Sequence, residues 1–380
     1  MAAQRGHLDV IDRKGQLMKS TKTLVLGLTA GLALSAFGIA GIAHADPVSN
    51  SYVLVGSDTL QDSCNALTNG TIITGSMFRA MPNGSSVGNF DAFGSATIQA
   101  KPNGPFFVRP AGSGNGRSAL IASITGAPWQ GKTITGQVDI ARSSSGPGSN
   151  AAANGQLLYV PFGRDAVSYA YYGSGTELVS LTTAQLKQIY ESNTPVTING
   201  VEVKPLIPQS GSGTRDFFLS AIGVAAADLG STVSSDNNTL PENDASVLNT
   251  VGQIVPFSAA SWIAQANGAS GVNTIPASGN VKLGSPNGQA PFTGSGSSLV
   301  PASAFYSSQF GRDTYLIVEY ARVNPSDAKY DPTLAGLVDS NRGTSLTNMG
   351  TSPTSAGAVK RQFGFLPVAD ATPIRAYPTI

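Results

Sequence analysis

The sequence predicts an α/β fold, and two observations carry that expectation. Short apolar runs of strand length alternate with stretches of helical spacing between residues 52 and 222. The turns that close the apolar runs are rich in Gly, Ser and Thr, the residues that end a strand and cap the next helix.

In chain order, SYVLVGS (51–57) is a strand closing in Gly-Ser, and TLQDSCNAL (59–67) is the helix after it. PFFVRPAGS (105–113) is a second strand, with NGRSALIASI (115–124) as its helix. VDIARSS (138–144) is a short strand before a polar turn. LLYVPFGRDAVSYAYY (157–172) is a strand pair or a crossing segment. LTTAQLKQIYES (181–192) is a helix with Thr182 and Gln185 at capping-box spacing. VEVKPLIPQS (201–210) is a strand leading into SGSGTR. Further on, SAASWIAQANG (258–268) is helical, 278–300 is loop or hairpin, DTYLIVEYARV (313–323) is a strand, and 351–368 ends in a short helix and an aromatic turn. Such alternation implies a mostly parallel sheet.

Ahead of this pattern lies a leader. MKSTK (18–22) supplies positive charge, residues 24–42 are apolar and uncharged, and AHA (43–45) supplies small residues at a cleavage site. A secretory signal peptide over 1–45 is expected, with 1–17 an upstream extension from a misplaced start; an uncleaved membrane anchor is the competing reading. Export to the cell envelope or the outside follows. Cleavage after Ala45 leaves 335 residues, enough for two domains.

Composition then narrows the chemistry. The remaining chain has 18 Lys/Arg against 20 Asp/Glu, which argues against a nucleic-acid partner. Both histidines, His7 and His44, fall within the leader, so a Ser-His-Asp triad and a His/Cys zinc site are excluded. Cys64 is the single cysteine, so an internal disulfide is excluded as well; in an apolar helix it is core filler. No cofactor or metal is expected.

Four turns share one character: GSDTLQD from Gly56, GSGNGRS from Gly112, ARSSSGPG from Ala141 and SGSGTRD from Ser210. Helix N-termini leave N–H donors free, and Ser, Thr and Arg add hydroxyl and charged donors. Taken singly, each is an ordinary capping turn. As a set they predict an anion site built from Ser57, Asp58, Thr59, Ser113, Arg142, Ser143, Ser210, Ser212, Gly213, Thr214 and Arg215.

With these motifs the chain resembles the phosphate-binding protein of bacterial high-affinity phosphate ABC transporters. SGSGTR matches that family's best-known motif, the three earlier turns match its other phosphate-contacting segments in order, and LTTAQLKQIYESN is similar to its preceding helix. The resemblance spans roughly residues 53–265. It implies a two-lobed fold of the periplasmic-binding-protein kind, with the ligand cleft between lobe 1 (46–163 plus 301–380) and lobe 2 (164–300). A single continuous sheet, or an all-β sandwich, would end that picture. The family contacts carry over to Thr59 or Asp58, Ser113, Ser143, Ser212, Gly213 and Thr214. Two positions depart from the pattern: Pro208 stands where the family often has arginine, leaving Arg215 or Arg142 to supply charge, and Ser143 stands where an aspartate accepts the ligand's proton, leaving Asp58 for that role.

The expected function is a secreted, monomeric solute-binding protein for inorganic phosphate or a similar oxyanion, not an enzyme, with an ABC transporter permease as a further partner and no membrane contact beyond the leader. Two other classes stay open: a phosphoester hydrolase using Ser or Asp, and a surface or interaction protein that keeps the fold without the ligand. Arg164–Asp165 is expected to be a structural ion pair, Trp129 and Trp262 to be core or surface aromatics, and PENDA (241–245) to be a candidate for the cleft.

Overall fold

The computed structural model describes residues 46–378 except 74 and 81–83, so the expected leader over 1–45 lies outside the described residues. Tyr52–Gly56 (β1) is buried along its whole length, as a strand covered on both faces must be. Tyr52 and Leu54 enter one apolar cluster while Val53 and Val55 enter another, the alternation that a pleated strand imposes.

The elements that position the site follow in order: Gln61–Asn69 (α1), Val87–Asn89 (β2), Ser113–Thr125 (α2), Ile140–Ser143 (β3), Leu157–Tyr172 (β4), Thr183–Glu191 (α3), Val196–Ile198 (β5), Val201–Pro205 (β6), Gly213–Ile222 (α4), Gln253–Ser258 (β7), Ala259–Ala266 (α5), Val281–Leu283 (β8), Gly311–Glu319 (β9), Ala356–Gln362 (α6) and Ile374–Ala376 (β10). The expected capping box on α3 is present, with Gln185 N–H donating to the Thr182 hydroxyl and the Gln185 side chain accepting from the Thr182 N–H.

Ten strands form one hydrogen-bonded sheet in the order β5-β6-β7-β4-β9-β3-β1-β2, with β8 and β10 also on β4. The continuity departs from the expectation of separate sheets. Its physical cause is β4, whose 16 residues pair with β9 and β10 at one end and with β7 and β8 at the other. Apolar packing divides where hydrogen bonding does not. One buried cluster draws all its members from 166–310, and the other two draw theirs from 52–162 and 316–365 or 315–376, with Ala260 and Ala264 added.

The sheet is mixed rather than mostly parallel. β1 runs parallel to β2 and β3, and β6 to β7, but every partner of β4 is antiparallel, as is β9 on β3. The strand expected over 105–113 shrinks to Phe106–Val108, paired only with Thr97–Gln99 in a hairpin outside the sheet. Pro110 has no N–H to extend a ladder, and Arg109 turns aside to Asp46, 2.7 Å away. Cys64, Trp129 and Trp262 are buried, in line with core roles.

Candidate functional site

The four turns meet. β1 and β3 lie side by side in parallel register, Gly56 opposite Arg142. Gly56 has φ +114°, and a Cβ there would stand 2.6 Å from the Arg142 carbonyl oxygen, so glycine is required by both conformation and space. The N-terminus of α2 meets the turn before α4 through a hydrogen bond from Gly114 N–H to the Gly211 carbonyl, 3.1 Å. Gly213 lies so close to Ser113 and Ser144 that a Cβ there would be 2.5 Å from both hydroxyls. Thr59 and Thr214 complete the junction, with their hydroxyls 3.3 Å apart.

Ser212 is the N-cap of α4 and accepts from the Arg215 N–H at 3.1 Å. The free donors of this helix end point at a carboxylate of the protein itself. Glu242, from the PENDA segment, accepts from the Ser212 hydroxyl and from the Thr214 N–H at 3.2 Å, and the Ser57 hydroxyl lies 3.5 Å off. Its side chain is 2 % exposed. Burial by itself would raise its pKa. Hydrogen bonds from Asp58 and Ser212, the charge of Arg312 and the Thr214 N–H outweigh burial and hold Glu242 below the usual carboxylate value.

Asp58 is the complement. Burial first, then the charge of Glu242 and a hydrogen bond with it, push its pKa well up. It also accepts from the Asn243 amide at 3.0 Å. A cavity of about 10 Å³ beside Asp58 and Thr59 has room for one water at most.

The charge in the site comes from Arg312, a residue the sequence reading missed. It lies on β9, is 4 % exposed, and donates to Asp165 from Nε (3.0 Å) and Nη2 (2.9 Å). The same guanidinium reaches the Gly213 carbonyl (3.1 Å) and the hydroxyls of Thr214 (3.0 Å) and Thr59 (3.2 Å). A signal for it was present. The tetrapeptide Phe-Gly-Arg-Asp occurs twice, at 162–165 and 310–313. In the antiparallel ladder the copies face each other, Arg164 opposite Asp313 and Asp165 opposite Arg312. The expected Arg164–Asp165 pair is therefore corrected: each residue pairs across strands with the other copy, at 2.9 Å in both cases. Neighbours on a strand point to opposite faces and cannot pair with each other.

Of the remaining expected residues, Ser113 accepts from the Ser144 N–H at 2.9 Å and its hydroxyl lies 3.1 Å from that of Ser144. Ser144 thus stands where Ser143 was expected, because the Ser143 hydroxyl turns back to the Ser145 carbonyl at 2.7 Å. Arg142 is fully buried and donates to Ser57 O (2.8 Å), Phe90 O (2.8 Å), Gly56 O (3.2 Å) and Asn89 Oδ1. It braces the first turn instead of facing an anion, and burial lowers its pKa. Arg215 donates to the Pro208 carbonyl at 3.0 Å, and Ser210 accepts from Asn238 at the surface. Neither points at Glu242. Among the described residues no cluster of metal-ligating side chains occurs, and no helix is long and apolar enough to cross a membrane.

No protein-family model and no curated protein matches the chain. Among solved structures it is similar to an ABC-type phosphate transport receptor from Vibrio cholerae (16 % identity, covering 84 % of this chain and 100 % of that one, TM-score 0.48). It is also similar to PstS from Borrelia burgdorferi (14 %, 84 % and 100 %, TM-score 0.41) and to a phosphate-binding protein from Stenotrophomonas maltophilia (13 %, 85 % and 91 %, TM-score 0.46).

Proposed function

We propose that the protein binds an inorganic oxyanion, phosphate foremost, at the N-terminus of α4 between two lobes, and that it acts outside the cytoplasm as a solute-binding protein without catalysis. The observation that carries this reading is Glu242. Its buried carboxylate, an anionic pair of oxygens, sits on the Ser212 hydroxyl and the Thr214 N–H beside Arg312. A constellation that holds a carboxylate this way has the donors, positive charge and desolvation that an inorganic oxyanion requires. Ser57, Thr59, Ser113 and Ser144 add hydroxyls at the same junction. Lobe 1 would take 46–163 with 301–380 and lobe 2 would take 164–300; the apolar clusters, which change membership at 162–166 and 310–315, support these limits. An ABC transporter permease is the partner this role calls for.

The same observation favours one alternative. A site filled by its own carboxylate suits a surface protein that keeps the fold with the cleft sealed. Calorimetric titration with phosphate and with sulfate separates the two. Saturable binding of either anion, abolished by Thr214→Val, supports the proposal. Absence of binding by wild type and by every Glu242 variant overturns it and leaves the sealed-cleft reading.

A further inference from the structure

The segment that carries Glu242 is anchored on both sides. The Leu240 carbonyl accepts from Gln209 N–H at 3.0 Å. Asn243 adopts φ +54° and is tied down by its whole amide: Oδ1 accepts from Ser258 N–H at 2.8 Å, and Nδ2 donates to Asp58 at 3.0 Å and Thr59 at 3.2 Å. Asp244 caps the following turn by accepting from Ser246 N–H at 2.9 Å. Between these anchors lies Glu242, whose carboxylate seats on the Ser212 hydroxyl and the Thr214 N–H.

That side chain competes for what a ligand needs. The Ser212 hydroxyl has one proton, and it goes to Glu242. The Thr214 N–H also goes to Glu242. A second anion brought to these donors while Glu242 remains would meet a like charge in a buried, poorly screened place. Both cannot be held at once.

Resting on the function proposed above, we infer that Glu242 is an internal competitor for the anion site and the residue that sets its affinity. The ligand enters by displacing the Glu242 carboxylate, and in its absence that carboxylate holds the junction of α2, α4 and β1 closed. An affinity measured on such a protein is reduced by the fraction of time the site is vacant. A competitor seated for about 90–99 % of the time lowers affinity roughly ten- to a hundredfold by that arithmetic.

The test uses the full-length chain with Glu242→Ala and Glu242→Gln. Each protein is titrated calorimetrically with inorganic phosphate, and each is measured by solution scattering in anion-free buffer. Circular dichroism establishes that both variants fold, and two variants guard against the loss of one. Glu242→Ala is expected to bind phosphate at least tenfold more tightly than wild type, with Glu242→Gln between them. Its radius of gyration should exceed that of wild type without anion and contract when phosphate is added. Equal or weaker phosphate binding by both variants overturns the inference while leaving the proposed function standing. If no protein binds phosphate or sulfate, the proposed function falls and the inference, which rests on it, falls with it, whatever the scattering shows.

Discussion

Replacing Arg312 by methionine probes the centre of the site. The change keeps bulk and removes five hydrogen bonds, two of them to Asp165. Asp165 has no exposed surface and would keep two donors, Ser258 Oγ at 2.9 Å and Ala260 N–H at 3.0 Å. Breaking a buried pair from one side costs about 3–5 kcal/mol because it strands the other charge. The two remaining donors place the expected loss near the low end, about 3 kcal/mol. The neighbouring pair is an internal control. Arg164 and Asp313 are 23 % and 25 % exposed at a similar distance, so Arg164→Met should cost at most about 1 kcal/mol. Urea unfolding reads both losses as shifts in midpoint at constant slope. The double change Arg312→Met with Asp165→Asn leaves a neutral amide on the same donors and should recover at least half the loss. A cost below about 1 kcal/mol for Arg312→Met, or a double variant no better than the single one, would refute the reasoning.

Three further outcomes are expected. The folded pKa of Asp58 is raised, so its contribution to stability is full below the unfolded value and is lost as pH rises through the folded one. Asp58→Asn should match wild type near pH 4 and exceed it at pH 8, by about 1.4 kcal/mol per unit of the raised pKa; parallel pH profiles in chemical unfolding would sink this. Lys360 is fully buried, donates to Phe162 O and Leu346 O, and has its pKa lowered well below the usual value by burial. Its contribution falls as pH drops from the unfolded value toward the folded one, so the stability of Lys360→Met relative to wild type should be greatest at pH 7 and shrink toward pH 10 in thermal melts; a flat difference would contradict it. Gly213→Ala places a methyl group 2.5 Å from the Ser113 and Ser144 hydroxyls, which should lower phosphate affinity at least tenfold in calorimetry at a stability cost of about 1–3 kcal/mol; unchanged affinity would show that these turns need not close.

What the sequence made legible was local. Several strand and helix positions between Tyr52 and Ile222 follow from apolar spacing and from caps such as Thr182 and Ser212, because those signals act within a few residues, whereas the short strands Val87–Asn89 and Val196–Ile198 carry too few apolar residues to show a period and were not read. The turns around Gly56, Gly112, Ala141 and Ser210 were recognisable as a set, and the structure joins them. Which side chain of each turn faces inward was not legible. Ser144 rather than Ser143 meets Ser113 because the chain leaves β3 there, and Arg142 turns to the backbone because its strand position faces β1 and β2. The PENDA segment that carries Glu242 was named as a candidate for the cleft, but Arg312 reaches the site from a segment distant in sequence, and no local pattern fixes that meeting. The repeated Phe-Gly-Arg-Asp was visible, but its meaning depends on an antiparallel register that only the fold supplies.

That repeat has a mechanical consequence. The two copies form a reciprocal clasp in which each strand gives one cation and takes one anion. Sliding one strand past the other by a single residue would invert every side chain about the ladder and unfasten both pairs together. Bending meets less opposition, because the register already slips between Pro161 and Gly163, and Pro161 has no N–H to contribute. This stretch of the β4–β9 ladder therefore opposes shear more than bending, as a pinned joint does.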